Sequence, residues 1–191
     1  MQIHDDSHFV SLVLAGQTAA FASLVDKYKS TAFNVAFQIT GNRLDAEEVA
    51  MDAFVKVYRS LASFKGDAKF STWLYRIVYN TAISRTRKKK HDFTPLNDSI
   101  TENYSETDFE ESLHYISTED QQALVTKAIA GLSAEDALII NLFYINELST
   151  DEISQITALS VSNVKVKLHR IRKKIYAEVQ KLSKTEVKDL N

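Results

Sequence analysis

Residues 149–175 have the sequence STDEISQITALSVSNVKVKLHRIRKKI, and this stretch decides the fold of the C-terminal half of the chain. Ser149 is followed three residues later by Glu152, a pattern typical of a capping box at the start of a short helix. Residues 158–160 predict a turn, and a longer basic helix follows, which we expect to reach about Leu182. A short capped helix, a turn and a longer basic helix together predict a helix-turn-helix.

The basic helix has an apolar face and an opposite polar face. Helical spacing places four apolar residues together, on the side expected to pack on the domain: Val164, Leu168, Ile171 and Ile175. The opposite ridge lies between two rows of cations, as in a helix whose ridge contacts base edges while its cations contact phosphates. The candidates for base-edge contacts are Ser162, Lys165, Val166, His169 and Arg170; Asn163 lies in a flanking row, and the candidates for phosphate contacts are Lys167, Arg172, Lys173 and Lys174. An outward Val166 would suit a thymine methyl group. The alternative is a solvated, lysine-rich surface helix, but the capped helix and the turn before it favour DNA contact.

The N-terminal half is also predicted to be helical. The chain has only 4 Gly and 1 Pro, and it lacks the alternation of strands, so the fold class is all-α. Gly41-Asn42 is expected to end one helix, and Asp45 is predicted to be the N-cap of the next. That helix has an apolar stripe: Val49, Ala53, Val57 and Leu61. A fourth helix is expected from about Ser71.

Charge divides the chain into two small domains and a connector. Residues 1–90 carry 13 Lys and Arg against 8 Asp and Glu, and residues 121–191 carry 10 against 8. Residues 91–120 carry 9 acidic residues and no Lys or Arg. We therefore predict domains at 1–90 and 120–191, joined by a flexible acidic linker at 91–119.

Composition excludes several classes of protein. The chain has no Cys, so it forms no disulfide framework or thiolate zinc site. Its first residues do not resemble a secretory signal, and no apolar run approaches a membrane span, so we expect a cytoplasmic location without membrane insertion. Neither a phosphate-binding glycine loop nor a metal-ligand pattern is present, so we expect no cofactor and no enzymatic activity.

Two blocks of the chain resemble the extracytoplasmic-function (ECF) group of bacterial sigma factors. The first block is carried by DAEEVAMDAFVKVYRSL (45–61) and FKGDAKFSTWLYRIVYNTAISRTRKK (64–89). The second is carried by GLSAEDALIINLFYINELSTDEIS (131–154) and VSNVKVKLHRIRKKI (161–175). Members of the group usually have Gly in the helix-turn-helix turn, where this chain has Ala158; a positive φ there would cost Ala about 1 kcal/mol.

The resemblance implies roles for both blocks. The helix at 45–61 would dock on the beta-prime clamp helices of core RNA polymerase through Asp45, Glu48, Asp52, Lys56 and Arg59. The segment after it would capture an unpaired base of the minus-ten element through Phe64, Lys65, Lys69, Phe70 and Asn80. Arg85, Lys88 and Lys89 would contact duplex phosphates, and the C-terminal domain would bind the minus-thirty-five element beside the beta flap. Promoter DNA and an anti-sigma factor are further implied partners.

Two other functions are compatible with a helix-turn-helix. A dimeric regulator would read a palindromic operator with its C-terminal half, but the aromatic and cationic pattern of residues 64–90 is not needed in a sensor domain. A decoy that binds polymerase without DNA would lack basic helix faces, which are present here.

Overall fold

The computed structural model describes residues 5–89 and 119–189, with side chains at 5–87 and 123–183. Every regular element in these ranges is helical, which confirms the all-α prediction. The predicted linker lies outside the described residues except for Glu119, which begins a helix. The chain divides into two compact units, one holding the four N-terminal helices and the other most of the C-terminal ones.

The first unit contains four α-helices and two short 3-10 turns. The helices are α1 (Asp6–Leu14), α2 (Phe21–Thr40), α3 (Arg43–Ser60) and α4 (Phe70–Lys89), and the 3-10 turns are Thr18–Ala20 and Leu61–Ser63. The predicted apolar stripe of α3 is fully buried where α2, α3 and α4 pack together. Alanines on all three helices, among them Ala32, Ala53 and Ala82, are completely buried and let the backbones approach closely.

The junction of α2 and α3 corrects the predicted helix cap. Gly41 ends α2 in the left-handed conformation at φ 63°, as the sequence predicts. Asn42 is the N-cap of α3, because its side-chain oxygen accepts a hydrogen bond from the Asp45 N–H at 3.1 Å. The prediction that Asp45 is the cap is therefore wrong: the helix begins two residues before it, at Arg43.

The helices that follow in the C-terminal half are α5 (Glu119–Ala130), α6 (Ala134–Tyr144), α7 (Thr150–Thr157) and α8 (Val161–Asp189). The predicted capping box at α7 is confirmed: the Ser149 N–H donates to Glu152 Oε2 at 2.9 Å, and the Glu152 N–H donates to Ser149 Oγ at 3.2 Å. Helix α8 packs against both α5 and α6. Its predicted apolar face is buried at Val164, Leu168 and Ile171, and α8 extends beyond the expected end at Leu182.

Membrane-spanning helices and metal-binding clusters are both absent from the described residues. No helix in these ranges is both long and apolar enough to cross a membrane. In the same part of the chain, no cluster of three or more His, Asp or Glu side chains is arranged to hold a metal ion.

The turn between α7 and α8 carries backbone strain at Ala158, which has φ 62°. A Cβ is unfavourable in this left-handed conformation, so we expect Ala158→Gly to stabilise the chain by about 1 kcal/mol. Urea denaturation would measure the gain. Ala123→Gly is the matched control, since Ala123 lies exposed inside α5 and its replacement should destabilise by about 1 kcal/mol. Equal losses in both variants would contradict strain at Ala158.

Candidate functional site

The start of α8 presents polar side chains to solvent. Ser160 caps the helix by accepting a hydrogen bond from the Asn163 N–H at 3.2 Å, which fixes the first turn. Ser162 and Lys165 follow and are exposed, while Asn163, His169 and Arg170 are half-buried. The N-terminal part of a recognition helix enters a groove most deeply, so Ser162 and Lys165 lie where base-edge contacts are expected.

Val166 does not point outward as predicted. Val166 is only 5% exposed, so in the folded chain it is not open to a thymine methyl group. The helical wheel assumed that α8 has a single buried face. In the structure the first half of α8 is covered on two sides, with Val164 and Leu168 on one and Val166 on the other. Burial removes a valine from water, which favours the covered position.

Two of the predicted phosphate-binding lysines are paired with carboxylates at the start of α6. Lys167 binds Glu135, and Lys174 Nζ lies 2.6 Å from Asp136 Oδ2. Lys173, between them in sequence, is exposed. Cations already bound to carboxylates gain less from a phosphate, because the existing pair must first be broken. Lys173 is thus better placed for a phosphate contact than Lys167 or Lys174.

Arg172 is held against two aromatic rings of α6. Its Nε donates to the Tyr144 hydroxyl at 3.0 Å, and its guanidinium carbon lies 5.4 Å from the ring centroid of Phe143. A guanidinium over an aromatic face is stabilised by a cation–π interaction. These contacts fix the direction of Arg172 and leave it half-buried.

The outer face of α3 is apolar, which sequence analysis missed. Leu44 is 75% exposed and Met51 is 70% exposed, and Val55 and Tyr58 are exposed on the same side. Glu48 and Asp52 lie exposed among them. We call these six residues the α3 outer face. Their spacing of three, four or seven residues opposite the buried stripe was a signal in the sequence, and apolar patches of this kind mark interaction surfaces.

Asp45 and Glu48 are joined to α4 by Arg85. The guanidinium donates from Nη1 to Glu48 Oε1 at 2.9 Å and from Nη2 to Asp45 Oδ1 at 3.4 Å. The hydrogen bond with Glu48 raises the pKa of Arg85 above its ordinary value. Asp45 is buried and turned toward α4, so in the folded chain it does not lie on an open face as predicted. In the folded chain Arg85 joins α3 to α4, because two carboxylates bind its guanidinium, and it is therefore not free to contact DNA phosphates. The side chains of Lys88 and Lys89, the other two predicted phosphate contacts, lie outside the described residues.

The aromatic residues predicted to stack on a base form a cluster. The ring centroid of Phe64 lies 5.8 Å from that of Phe70 and 5.1 Å from that of Trp73. Phe70 is only 3% exposed and packs against Tyr28 as well, so it belongs to the core and its ring is not open in the folded chain for the predicted stacking. Phe64 is half-buried and retains an accessible part, with exposed Lys65 and Lys69 in the same loop.

Asn80 lies in a separate cleft between α3 and α4. This cleft, of about 460 Å³, is lined by Lys56, Arg59, Ser60, Ile77, Asn80, Thr81 and Ser84. The structure therefore brings Asn80 together with Lys56 and Arg59, which the sequence assigned to polymerase docking. It does not bring Asn80 to the aromatic cluster, because the ten residues from Phe70 to Asn80 span about 15 Å of helix.

Comparisons with known proteins agree with this division of the chain. Residues 24–91 match the family described as Sigma-70 region 2, and residues 122–175 match the family described as Sigma-70, region 4. The ECF RNA polymerase sigma factor SigW of Bacillus subtilis (strain 168) is 33% identical, with 91% of this chain and 96% of that protein covered. The ECF RNA polymerase sigma-E factor of Escherichia coli (strain K12) is 28% identical over 93% of this chain and 95% of its own length.

Solved structures share the fold at lower sequence identity. The structure of CnrH in complex with the cytosolic domain of CnrY has a TM-score of 0.63 and 22% identity, covering 92% of this chain and 97% of that one. The sigma factor RpoE of Bartonella quintana, solved in complex with the anti-sigma factor NepR, has a TM-score of 0.60 and 19% identity, covering 84% of this chain and 96% of that one. The two family matches together span more than half of the chain, and SigW is similar over almost all of it. The chain therefore belongs to the sigma-70 family as an ECF sigma factor, a protein that directs transcription initiation.

Proposed function

We propose that this sigma factor binds core RNA polymerase through the first unit, reads the upstream promoter element as duplex and reads the downstream element as melted single strand. The observation that carries the proposal is the start of α8, where a capped helix and a left-handed turn lead into exposed Ser162 and Lys165. This geometry suits entry into a major groove. We assign the domain boundaries 1–90, 91–119 and 120–191 to the two reading units and their connector.

The α3 outer face is the proposed contact with the beta-prime clamp helices. An apolar centre at Met51 and Val55 with carboxylates at Glu48 and Asp52 has the composition of a protein interface, with an apolar core and a polar rim. Lys56 is not assigned to the polymerase contact, because its ammonium is bound to Thr81 of α4. Arg59 is not assigned to it either, because its side chain lines the cleft between α3 and α4.

The downstream strand is proposed to meet two separate subsites of the first unit. Phe64 offers a ring for stacking beside the cations Lys65 and Lys69, and Asn80 offers an amide that can pair with a base edge. Phe70, whose ring contacts Phe64, lies about 15 Å along α4 from Asn80, which exceeds the 3.4 Å rise between neighbouring nucleotides of a stacked strand. The two side chains would therefore hold different nucleotides.

Further partners follow from membership of the family and are proposals for this chain. The second unit would lie beside the beta flap of the polymerase. An anti-sigma factor would restrain the chain; the similar RpoE of Bartonella quintana was solved with one. Promoter recognition places the activity in the cytoplasm, and the chain would act by binding, without chemistry of its own.

Run-off transcription tests the proposal directly. Core polymerase with this chain should produce discrete transcripts from a genomic promoter library, and core polymerase alone should not. The free chain should bind duplex DNA poorly, because its formal net charge is −2 and residues 91–120 are strongly acidic. Tight binding of the free chain to a palindromic operator, without promoter-specific initiation, would support a stand-alone regulator instead.

Lys173 and Lys174 provide an internal comparison for the upstream contact. We expect Lys173→Ala to weaken all upstream sequences alike and to reduce the salt slope of binding by about 1. Lys174→Ala should change binding less, because Asp136 already holds that ammonium at 2.6 Å. Salt titrations of the polymerase complex on a promoter from the run-off experiment would measure both. A larger effect at Lys174 would mean that α8 is rotated in the groove relative to this assignment.

A further inference from the structure

Two adjacent carboxylates at the start of α6 hold two lysines of α8. Glu135 binds the Lys167 ammonium, and Asp136 Oδ2 lies 2.6 Å from Lys174 Nζ. The two lysines are seven residues apart in sequence, so they lie on one face of α8 with their Cα atoms about 10 Å apart along its axis. The start of α6 therefore binds side chains that are two turns apart on the basic helix.

The cap of α6 fixes these carboxylates in place. Ser133 is the N-cap, and its side-chain oxygen accepts a hydrogen bond from the Asp136 N–H at 3.2 Å. Glu135 and Asp136 both lie in the first turn, where the helix dipole stabilises negative charge. The side chain of Asp136 is only 10% exposed, so its charge is directed at α8 and not at solvent. Two negative charges thus lie beside the basic helix, as two phosphates of a DNA strand would.

The ion pairs neutralise one side of α8 and not the rest of its polar surface. Helical spacing places one row of polar side chains along that side: Asn163, Lys167, Arg170 and Lys174. Two of the three cations in this row are bound to α6. Lys165 and Lys173 lie on other sides of the helix and are exposed. The charge that α8 offers to a DNA strand is therefore unequal on its two flanks.

We propose that Glu135 and Asp136 are specificity-determining residues for the upstream element, because they withhold Lys167 and Lys174 from the phosphates of non-promoter DNA. The inference rests on the proposed reading of the upstream duplex by α8. Binding to DNA of arbitrary sequence depends almost entirely on phosphate contacts, whereas promoter binding adds contacts to base edges. Specificity is the difference between the two affinities, so it rises when non-promoter binding is weakened more than promoter binding.

The ion pairs affect the two kinds of DNA unequally because only the promoter fixes the position of α8. On the upstream element, base contacts at Ser162 and Lys165 would set how the helix lies in the groove, and each phosphate then meets only the cation that this position brings to it. On other DNA no position is fixed, so α8 can shift until any unbound ammonium reaches a phosphate. Holding Lys167 and Lys174 against α6 removes that freedom.

The test measures closed complexes of polymerase loaded with the full chain. It compares a promoter found by run-off transcription with the same duplex carrying a scrambled upstream element. We expect Glu135→Gln to bind the scrambled duplex about three- to fivefold more tightly, because one exposed ion pair no longer has to be broken, with a salt slope steeper by about 1. The intact promoter should gain little, so the preference for it should fall about threefold.

Lys167→Ala separates release of the lysine from a change in net charge. The gain from Glu135→Gln should disappear when Lys167 is also replaced by Ala, because the two residues act as a pair. Glu147→Gln is the matched control, since Glu147 is an exposed carboxylate between α6 and α7 and its replacement changes the net charge equally. It should leave both affinities unchanged. Asp136→Asn should act in the same direction as Glu135→Gln, and thermal unfolding of each variant gives the folded fraction by which the affinities are corrected.

The remaining outcomes separate this inference from the proposed function. The inference is overturned, and the proposed function stands, if Glu135→Gln leaves binding of the scrambled duplex unchanged or if its gain persists without Lys167. Equal gains on the two duplexes would also overturn it, because the carboxylates would then set the affinity for all DNA and not the preference for the promoter. A wild-type complex that binds both duplexes alike contradicts the proposed upstream reading itself, whatever the variants do.

Discussion

Replacing Met51 with Asp is expected to lower the affinity of the chain for core RNA polymerase at least about a hundredfold, or about 2.7 kcal/mol. Met51 lies 70% exposed at the centre of the α3 outer face, with Val55 one turn away. A carboxylate at that point would have to be desolvated against an apolar partner surface without a compensating cation. The free chain should fold normally because the Met51 side chain is mostly exposed and does not belong to the core. Competition binding with labelled core enzyme would measure the loss.

Leu14→Asp is the matched control for this substitution. Leu14 is another exposed large apolar residue of the first unit, at the end of α1 and outside the α3 outer face. It should leave polymerase binding unchanged. Asp52→Lys should weaken binding by a smaller factor, since rim charges contribute less than a buried centre. Glu48→Lys is less informative because it would also release Arg85. Equal losses from Met51→Asp and Leu14→Asp would remove the docking assignment.

Local sequence signals predicted most of the fold. Gly41 ends a helix because it adopts a positive φ, and Ser149 with Glu152 begins one because each caps the other's backbone. The buried stripe of α3 and the apolar face of α8 follow from helical periodicity. Such features depend on neighbours within a few residues, so they can be identified before any tertiary contact is known.

Contacts between distant residues could not be predicted in the same way. Arg85 binds Glu48, Lys167 binds Glu135, and Lys174 binds Asp136, and each pair is more than thirty residues apart in the chain. A helical wheel shows the same exposed cation whether or not a carboxylate from another helix reaches it. The orientation of Val166 could not be predicted for a related reason. A helical wheel shows the faces of one helix but not how many of those faces other parts of the chain cover.

The sequence also could not show which residues of the downstream site lie close together in the fold. Phe64, Phe70 and Asn80 all lie in one stretch of sequence with suitable chemistry. Helical rise separates Asn80 from Phe70 by about 15 Å along α4, and packing buries Phe70 in the core. Only the packing of α3 against α4 places Lys56 and Arg59 beside Asn80. Residue types predicted the kind of recognition, and tertiary structure decides which residues share a site.

Asn80→Ala is expected to reduce open-complex formation about ten- to a hundredfold while leaving closed-complex binding nearly unchanged. One base contact by stacking or pairing in a single-strand site is worth about 1–3 kcal/mol, and this energy is available only when the base leaves the duplex. In the proposed function, closed-complex binding depends instead on α8 and on phosphate contacts. Permanganate reactivity of unpaired thymines across the start site would measure opening, and a filter-binding assay on closed complexes would measure the earlier step.

Because Asn80 is exposed, it can be tested whether the Asn80→Ala defect arises only from a loss of stability. The side chain is exposed in the cleft and contributes nothing to the core, so Asn80→Ala should unfold at the wild-type temperature. Asn34→Ala, at an exposed asparagine of α2, is the control and should open promoters normally. A pre-melted bubble should rescue only part of the Asn80→Ala defect, because melting in advance supplies the opening energy but not the lost base contact. Full rescue on the bubble would limit Asn80 to a role in strand separation, and a lower melting temperature with normal opening per folded molecule would end the base-capture assignment.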